Sequence, residues 1–390
     1  MLTSSQRILV CPHDLAMGGS QLNALELAVR MQAAGHQVKI FAPPGVLRSQ
    51  AASWGLDQEP CPEILQPSLA WSRQLSRLVR EWKPDVVHTY EWAPSLSAAW
   101  LLPRHPAVQH VATVLSMDVP DFLPATVPWI AGTEQLRRQL AARQIQAYCL
   151  PPVVETGNEP EPDMAADPYR EFPGQLLISM ACRMSRDLDK AAGVLQAIDA
   201  VRQLCTQTPV RLVLAGEGEC LEEIRRAASE ANAAAAQEAV VVLGEVADPR
   251  ELYARSDLSL GMGSSALRAM AAAVPVVVQG ADGYWKLLDE TSLPEFELNG
   301  FYGTGGGGTR QLLAILQQLA ADRPRLDQLG KFAKAVVLAR YSAAYATGQL
   351  EAIYRLGSVQ QRPVQSHALG LAQCAARYAR FLAARKLARS

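Results

Sequence analysis

Apolar residues in the first part of the chain gather in short runs, separated by stretches in which they recur every three or four positions. Residues 7–13 (Arg-Ile-Leu-Val-Cys-Pro-His) form a run of the kind buried in a parallel sheet. A turn at Met17-Gly18-Gly19-Ser20 follows, and Leu22, Leu25, Leu27, Ala28 and Met31 then fall near helical periodicity. Gly35 stops that helix, and residues 37–42 read as a second strand, which completes a β-α-β unit. The pattern continues with strands at 85–90, 108–115, 128–131 and 147–150 and helices at 95–102 and 134–143.

Residues 151–174 are rich in Pro and acidic residues and lack periodicity, so a domain boundary is expected there. The alternation restarts at 175–182. It runs through strands at 210–215, 239–243, 258–262 and 275–279, with helices at 187–205, 221–236, 249–255 and 264–273. Helices at 309–319, 323–341, 343–355 and 365–389 close the chain. The prediction is an α/β protein of two Rossmann-like halves, each a doubly wound parallel sheet, over residues 1–170 and 171–340, with helices over 341–390.

Composition narrows this picture. The 390 residues suit two cores better than one, and 49% hydrophobic with 19% charged residues is a globular profile. A formal net charge of -1 gives no global field to recruit nucleic acid or an anionic membrane. Seven cysteines without a C-x-x-C pair argue against a disulfide framework or a zinc site, and no metal ligand spacing is visible. No charged-then-apolar leader follows Met1, and no apolar run approaches the roughly 18 residues of a membrane span. A cytoplasmic protein is expected, with oligomeric state left open.

In open α/β sheets, ligands bind beyond the carboxyl ends of the strands. Four turns lie there. Gly18 and Gly19 precede a helix, where free N–H groups and the helix dipole favour an anion. Arg183 follows the strand that opens the second half, and Lys190 stands near the start of its helix, a pair suited to a diphosphate. Gly263, Ser264 and Ser265 offer N–H and hydroxyl donors, or plain helix capping. Gly280-Ala281-Asp282-Gly283 carries a carboxylate or is a plain turn. Of six histidines, His13, His88 and His110 lie in or at the end of strands and are candidate acceptor contacts. The fingerprint G-x-G-x-x-G is absent, against a nicotinamide dehydrogenase.

Taken in order, these segments resemble the retaining family 4 glycosyltransferases of GT-B fold. The resemblance rests on Gly18-Gly19-Ser20-Gln21, Gly35-His36-Gln37-Val38, Lys83-Pro84-Asp85-Val86-Val87-His88 and Leu214-Ala215-Gly216-Glu217-Gly218. It rests also on Arg183, Lys190, Gly244-Glu245-Val246, Arg268-Ala269-Met270-Ala271 and Pro275-Val276-Val277. It implies two sheets facing a central cleft, and last helices that cross back to the first half. It implies a nucleotide-sugar donor on the second half and a small-molecule acceptor on the first, without a cofactor or metal. Arg183 and Lys190 would hold the donor diphosphate and Val246 would meet the base; Gly18, Gly19, Gly263, Ser264, Ser265 and Arg268 would complete the donor site.

The chain departs from the family at three polar positions. Arg268 replaces the Glu that binds the ribose, a second Glu position falls near Leu260 or Gly261, and Leu115 stands near a usual His. The resemblance implies sugar transfer with retention in a bacterial specialised-metabolite or glycoconjugate pathway. The departures leave open thiol glycosylation, epimerisation, or a non-catalytic sugar-nucleotide-binding partner subunit.

Overall fold

The computed structural model describes residues 5–62, 68–116, 119–156, 168–172, 174–246, 248–359 and 364–387. Two units emerge, Met1–Val153 with Ala343–Ser390, and Val154–Ser342.

The first unit opens with β1 (Arg7–Cys11), α1 (Gly19–Ala33), β2 (Gln37–Phe41), α2 (Leu47–Ser53), β3 (Asp57–Glu59) and α3 (Leu69–Trp82). It continues with β4 (Val86–Tyr90), α4 (Trp92–Leu101), β5 (Gln109–Val114), β6 (Trp129–Ala131), α5 (Glu134–Ala142) and β7 (Ala147–Cys149). The second unit contains β8 (Leu176–Ala181), α6 (Lys190–Leu204), β9 (Val210–Ala215), α7 (Leu221–Ala235), β10 (Val240–Gly244), α8 (Arg250–Arg255) and β11 (Leu258–Gly261). It ends with α9 (Gly263–Ala271), β12 (Val276–Gln279), β13 (Trp285–Leu287), α10 (Leu293–Asn299), α11 (Thr309–Ala320) and α12 (Arg323–Arg340). Helices α13 (Ala343–Val359) and α14 (Val364–Leu387) belong to the first unit.

The first sheet has the order β3-β2-β1-β4-β5-β6-β7, and every pair is parallel. Its central strands are apolar on both faces because both faces are covered. Ile8 and Val10 pack with Leu25 and Ala28 of α1, whereas Leu9 packs with Trp71 and Leu75 of α3. The second sheet has the order β10-β9-β8-β11-β12-β13. Its edge strand β13 runs antiparallel to β12, an exception to the all-parallel sheet expected from the alternation.

Local chemistry sets the ends of several helices. Gly35, at φ 96°, ends α1, while the N–H of His36 bonds back to the carbonyl of Met31. Ser68 caps α3 through Trp71 N–H at 3.0 Å, and Lys83, left-handed and followed by Pro84, stops it. Val154 already belongs to the second unit: its N–H bonds to Tyr341 C=O at 3.0 Å and its side chain is buried beside Tyr253 and Met270.

Helices α13 and α14 close the first unit. Ala346, Leu350, Ile353 and Tyr354 of α13, at helical spacing, join the cluster around Ile8 and Leu25. On α14, Cys374 donates to the carbonyl of Phe122 at 2.7 Å, and Tyr378 and Phe381 pack on the Phe122 ring at 5.1 and 5.0 Å.

His88 is the polar tie in this closure. It pairs with Val111 across β4 and β5, whereas His110 pairs with Val87, so the two rings leave opposite faces of the sheet. His88 is 1% exposed, with Nδ1 at 2.8 Å from the Tyr354 hydroxyl and Nε2 at 2.7 Å from the Thr113 hydroxyl. His110 Nε2 lies 3.0 Å from the Thr89 hydroxyl. Burial pushes both imidazoles down to about 3, and for His88 the neighbouring His110 adds to the effect.

The unfolded chain thus takes up protons below about pH 6.5 that the folded chain refuses until near pH 3. The stability linked to His88 is whole above pH 6.5 and is lost as pH falls toward 3. Urea denaturation at pH 5 should give an unfolding free energy lower than at pH 7 by about 2 kcal/mol from His88 alone; equal values would contradict its neutral burial. Tyr354→Phe leaves His88 Nδ1 without its partner and should lower stability at pH 7 by about 1–3 kcal/mol in the same assay.

Candidate functional site

Each sheet reverses its strand order once. In the second unit the reversal lies between β8 and β11, and the loops that follow these strands flank a crevice at their carboxyl ends. The loop after β8 carries Arg183. Cys182 N–H bonds to Ala215 C=O at 3.0 Å and Met184 N–H to Glu217 C=O at 2.8 Å, which extends the pairing of β8 with β9 by two residues. Met184 is buried and Arg183 is exposed, the alternation of a pleated strand.

This extension needs the glycines of the Gly216-Glu217-Gly218 turn. Both have positive φ, and a Cβ would stand 1.9 Å from Cys182 O at Gly216 and 2.3 Å from Met184 O at Gly218. The turn therefore works by holding the backbone on either side of Arg183.

Lys190 is the first residue of α6, and the two residues before it, Leu188 and Asp189, are left-handed at φ 53° and 56°. Such conformations cost about 1–3 kcal/mol each and persist where neighbours enforce them. Asp189 accepts from Asp282 N–H at 3.0 Å through its carboxylate and from Gln279 Nε2 at 3.0 Å through its carbonyl. Gln279 lies so close over α6 that a Cβ on Gly193 would fall 1.8 Å from its amide nitrogen. Asp282 thus supports the start of the Lys190 helix through its backbone.

The loop of Asp282 is in turn paired with a glycine-rich segment absent from the motif reading. Ala281 N–H bonds to Gly303 C=O at 3.0 Å, and the N–H groups of Gly305, Gly306 and Gly308 bond to the carbonyls of Ala281, Asp282 and Gly283 at 2.9–3.0 Å. The run Gly305–Gly308 was visible in the sequence.

After β11, Gly263 and Ser264 open α9, with Gly263 at φ 53°. Ser265 Oγ accepts from Met262 N–H at 3.2 Å and donates to Met262 C=O at 3.0 Å, so this hydroxyl caps its own helix. Ser264 is exposed. Arg268, half-buried one turn on, acts electrostatically on Asp248 and Tyr253. Tyr253 also feels Cys182, and Cys182 feels Lys190, although burial dominates and pushes its thiol up to about 11. Lys190, Cys182, Tyr253 and Arg268 therefore form one electrostatic neighbourhood. Val246 follows Gly244, whose carbonyl accepts Gly216 N–H at 2.7 Å, which ties this segment to the turn that holds Arg183.

In the first unit the reversal lies between β1 and β4. Gly18 caps α1, and a Cβ there would meet Gln21 Oε1 at 2.4 Å; Gly19 has open space around it. Gln21 Nε2 donates to Asp14 Oδ1 at 2.7 Å and to His13 Nε2 at 2.9 Å. This places the imidazole proton of His13 on Nδ1, a buried atom with no hydrogen-bond partner among the described residues. His13 thus stands at the strand end with a donor unused. His88 has both nitrogens engaged inside the unit, and His110 points to the other face of the sheet, so the structure does not bring the three histidines together.

Glu91 escaped the motif reading. It follows β4 and its carboxyl is joined to the first turn of α1: Oε1 accepts from Ser20 Oγ at 2.9 Å and from Leu115 N–H at 3.1 Å. The signal available was an acidic residue directly after a buried strand, at the carboxyl end where ligands bind.

Residues 18–155 match the family of glycosyl transferase 4-like domains, and residues 169–293 match the glycosyl transferases group 1. The chain is 25% identical to phosphatidyl-myo-inositol mannosyltransferase of Mycobacterium leprae (strain TN), over 92% of this chain and 98% of that protein. In fold it is similar to a glycosyltransferase from Rickettsia africae ESF-5, with TM-score 0.71 and 15% identity over 91% of this chain and 99% of the other. It is similar also to Anabaena Alr3699/HepE in complex with UDP, with TM-score 0.66 and 17% identity over 89% and 99%. The two matched families run in tandem through both units, the sheets are those of the GT-B fold, and the chain belongs to the family 4 glycosyltransferases, which draw on nucleotide-sugar donors.

Proposed function

We propose that this glycosyltransferase moves a sugar from a nucleotide-diphosphate sugar to a hydroxyl of a small-molecule acceptor, with retention at the anomeric carbon and without a metal. The observation that carries this reading is the segment from Arg183 to Lys190, paired to the Gly216-Glu217-Gly218 turn at one end and strained into place at the other. As the bond from the anomeric carbon to the diphosphate breaks, charge gathers on the leaving oxygen. Two cations, Arg183 beyond β8 and Lys190 at the start of α6, stabilise that charge, by about 2.7–4 kcal/mol each if they resemble oxyanion donors. They supply the role a divalent cation fills elsewhere. Gly19 N–H, at the open start of α1, is a further donor toward the substrates.

The Mycobacterium leprae relative is named for a phosphatidyl-myo-inositol acceptor, which favours a polyol-bearing acceptor of a glycoconjugate pathway over a specialised metabolite. The Anabaena protein was solved with UDP, which makes uridine the first base to test. Among the described residues no helix is long and apolar enough to cross a membrane; with a nucleotide-sugar donor, we place the reaction in the cytoplasm. Arg268, standing where the resemblance implies a ribose-binding Glu, favours a second reading, a binder that does not transfer.

Arg183→Ala and Lys190→Ala should each reduce transfer about a hundredfold, measured as nucleotide released per unit time. Near-normal rates in both would remove the diphosphate clamp, and no transfer by the wild type would favour the binder. Addition of EDTA should leave the wild-type rate unchanged; a rate abolished by EDTA and restored by magnesium would refute metal independence.

A further inference from the structure

Two polar atoms at the strand reversal of the first unit are buried without a protein partner, and they are complementary. Glu91 Oε2 can only accept if the carboxyl is ionised, and it has no partner among the described residues. His13 Nδ1 carries the proton and is likewise unpartnered. Both side chains are tied to the first turn of α1, Glu91 through Ser20 and His13 through Gln21.

Glu91 is also held in a conformation that calls for explanation. At φ 67° and ψ 172° it occupies a region populated almost entirely by glycine. Its N–H bonds to Thr113 C=O at 2.7 Å, and its carbonyl accepts from Ser95 Oγ at 2.6 Å. The residue is 5% exposed. A carboxyl needed only as a tie between loops would be served by Oε1, which already takes both the Ser20 hydroxyl and Leu115 N–H. The second oxygen is left without a partner, and a buried unpaired acceptor is destabilising in the protein alone.

Hydroxyls match both atoms in chemistry: one can donate to Glu91 Oε2 and one can accept from His13 Nδ1–H, whereas a phosphate or carboxylate would be repelled by an ionised Glu91. We infer that Glu91 and His13 bind hydroxyls of a polyol acceptor, with Glu91 as a hydrogen-bond acceptor. This rests on the proposed sugar transfer. It also gives the first unit a polar contact beside Leu115, where the resemblance implies a histidine.

The test uses the full chain, a UDP-sugar panel and two acceptor probes, free myo-inositol and phosphatidylinositol vesicles. Glu91→Gln keeps an oxygen for Ser20 and Leu115 but puts an amide N–H₂ where Oε2 accepts. It should lower kcat/KM for the acceptor about a hundredfold, with the donor KM and the melting temperature unchanged. Loss against either probe supports the inference, and the probe that works tells a free polyol from a lipid headgroup. Unchanged acceptor kinetics in Glu91→Gln overturn it while leaving the proposed transfer intact. A parallel fall in melting temperature and donor affinity also overturns it, because Glu91 would then be a tie within the fold. If the wild type transfers to neither probe, the polyol assignment falls; if it also turns over no donor, the proposed reaction falls with it.

Discussion

A parallel sheet whose strand order reverses sends the connections of two neighbouring strands to opposite faces, and the backbone between them must open. That constraint acts twice here, at β1 and β4 and at β8 and β11, and the polar chemistry of both units gathers at these openings. In the second unit they carry Arg183, Lys190 and Arg268; in the first they carry His13, Glu91 and the glycine start of α1. The same constraint makes the supporting loops tight. Backbone meets backbone at Gly216 and Gly218, and again where Gly280–Gly283 pairs with Gly303–Gly308.

Backbone strain follows this division. Among the described residues, Lys83, Gln144, Ala236, Ala273 and Phe301 have positive φ just beyond helix ends, where a left-handed residue is an ordinary stop. Glu91, Leu188, Asp189 and Asp282 have positive φ for no such reason, and all four border the two openings or support the loop of Lys190. Strain without a role in chain termination is a mark of pre-organisation. It holds the backbone at Glu91 in the first unit and just ahead of Lys190 in the second in conformations that the neighbouring loops enforce.

The alternation of strands and helices was legible because buried parallel strands leave continuous apolar runs. What was lost lies mainly between 43 and 84 and between 283 and 300. Strands β3 and β13 have three residues each, as do β6 and β7, but they carry charged residues (Asp57, Glu59, Lys286) where β6 and β7 are apolar runs. Helix α3 carries a signal in the sequence, with Trp71, Leu75, Leu78 and Val79 on one face behind the capping Ser68. The motif glycines were visible, but their reason was not: Gly216 and Gly218 answer to the carbonyls of Cys182 and Met184, contacts between segments more than thirty residues apart in the chain. The histidines show the limit of strand reading. His88 and His110 look alike in sequence, yet register sends them to opposite faces, and Tyr354 of a helix far along the chain takes the His88 nitrogen. Glu91 was unmarked because its strain and its orphan oxygen are properties of the folded backbone.

The reaction proposed depends on the β8–β11 opening of the second unit holding the nucleotide diphosphate. Hydrogen–deuterium exchange of the full chain with and without UDP tests it directly. Slowed exchange is expected at residues 182–190, 216–220 and 261–266, with little change in the sheet interior, which is already protected. Protection confined to other segments, or none at saturating UDP, would contradict it.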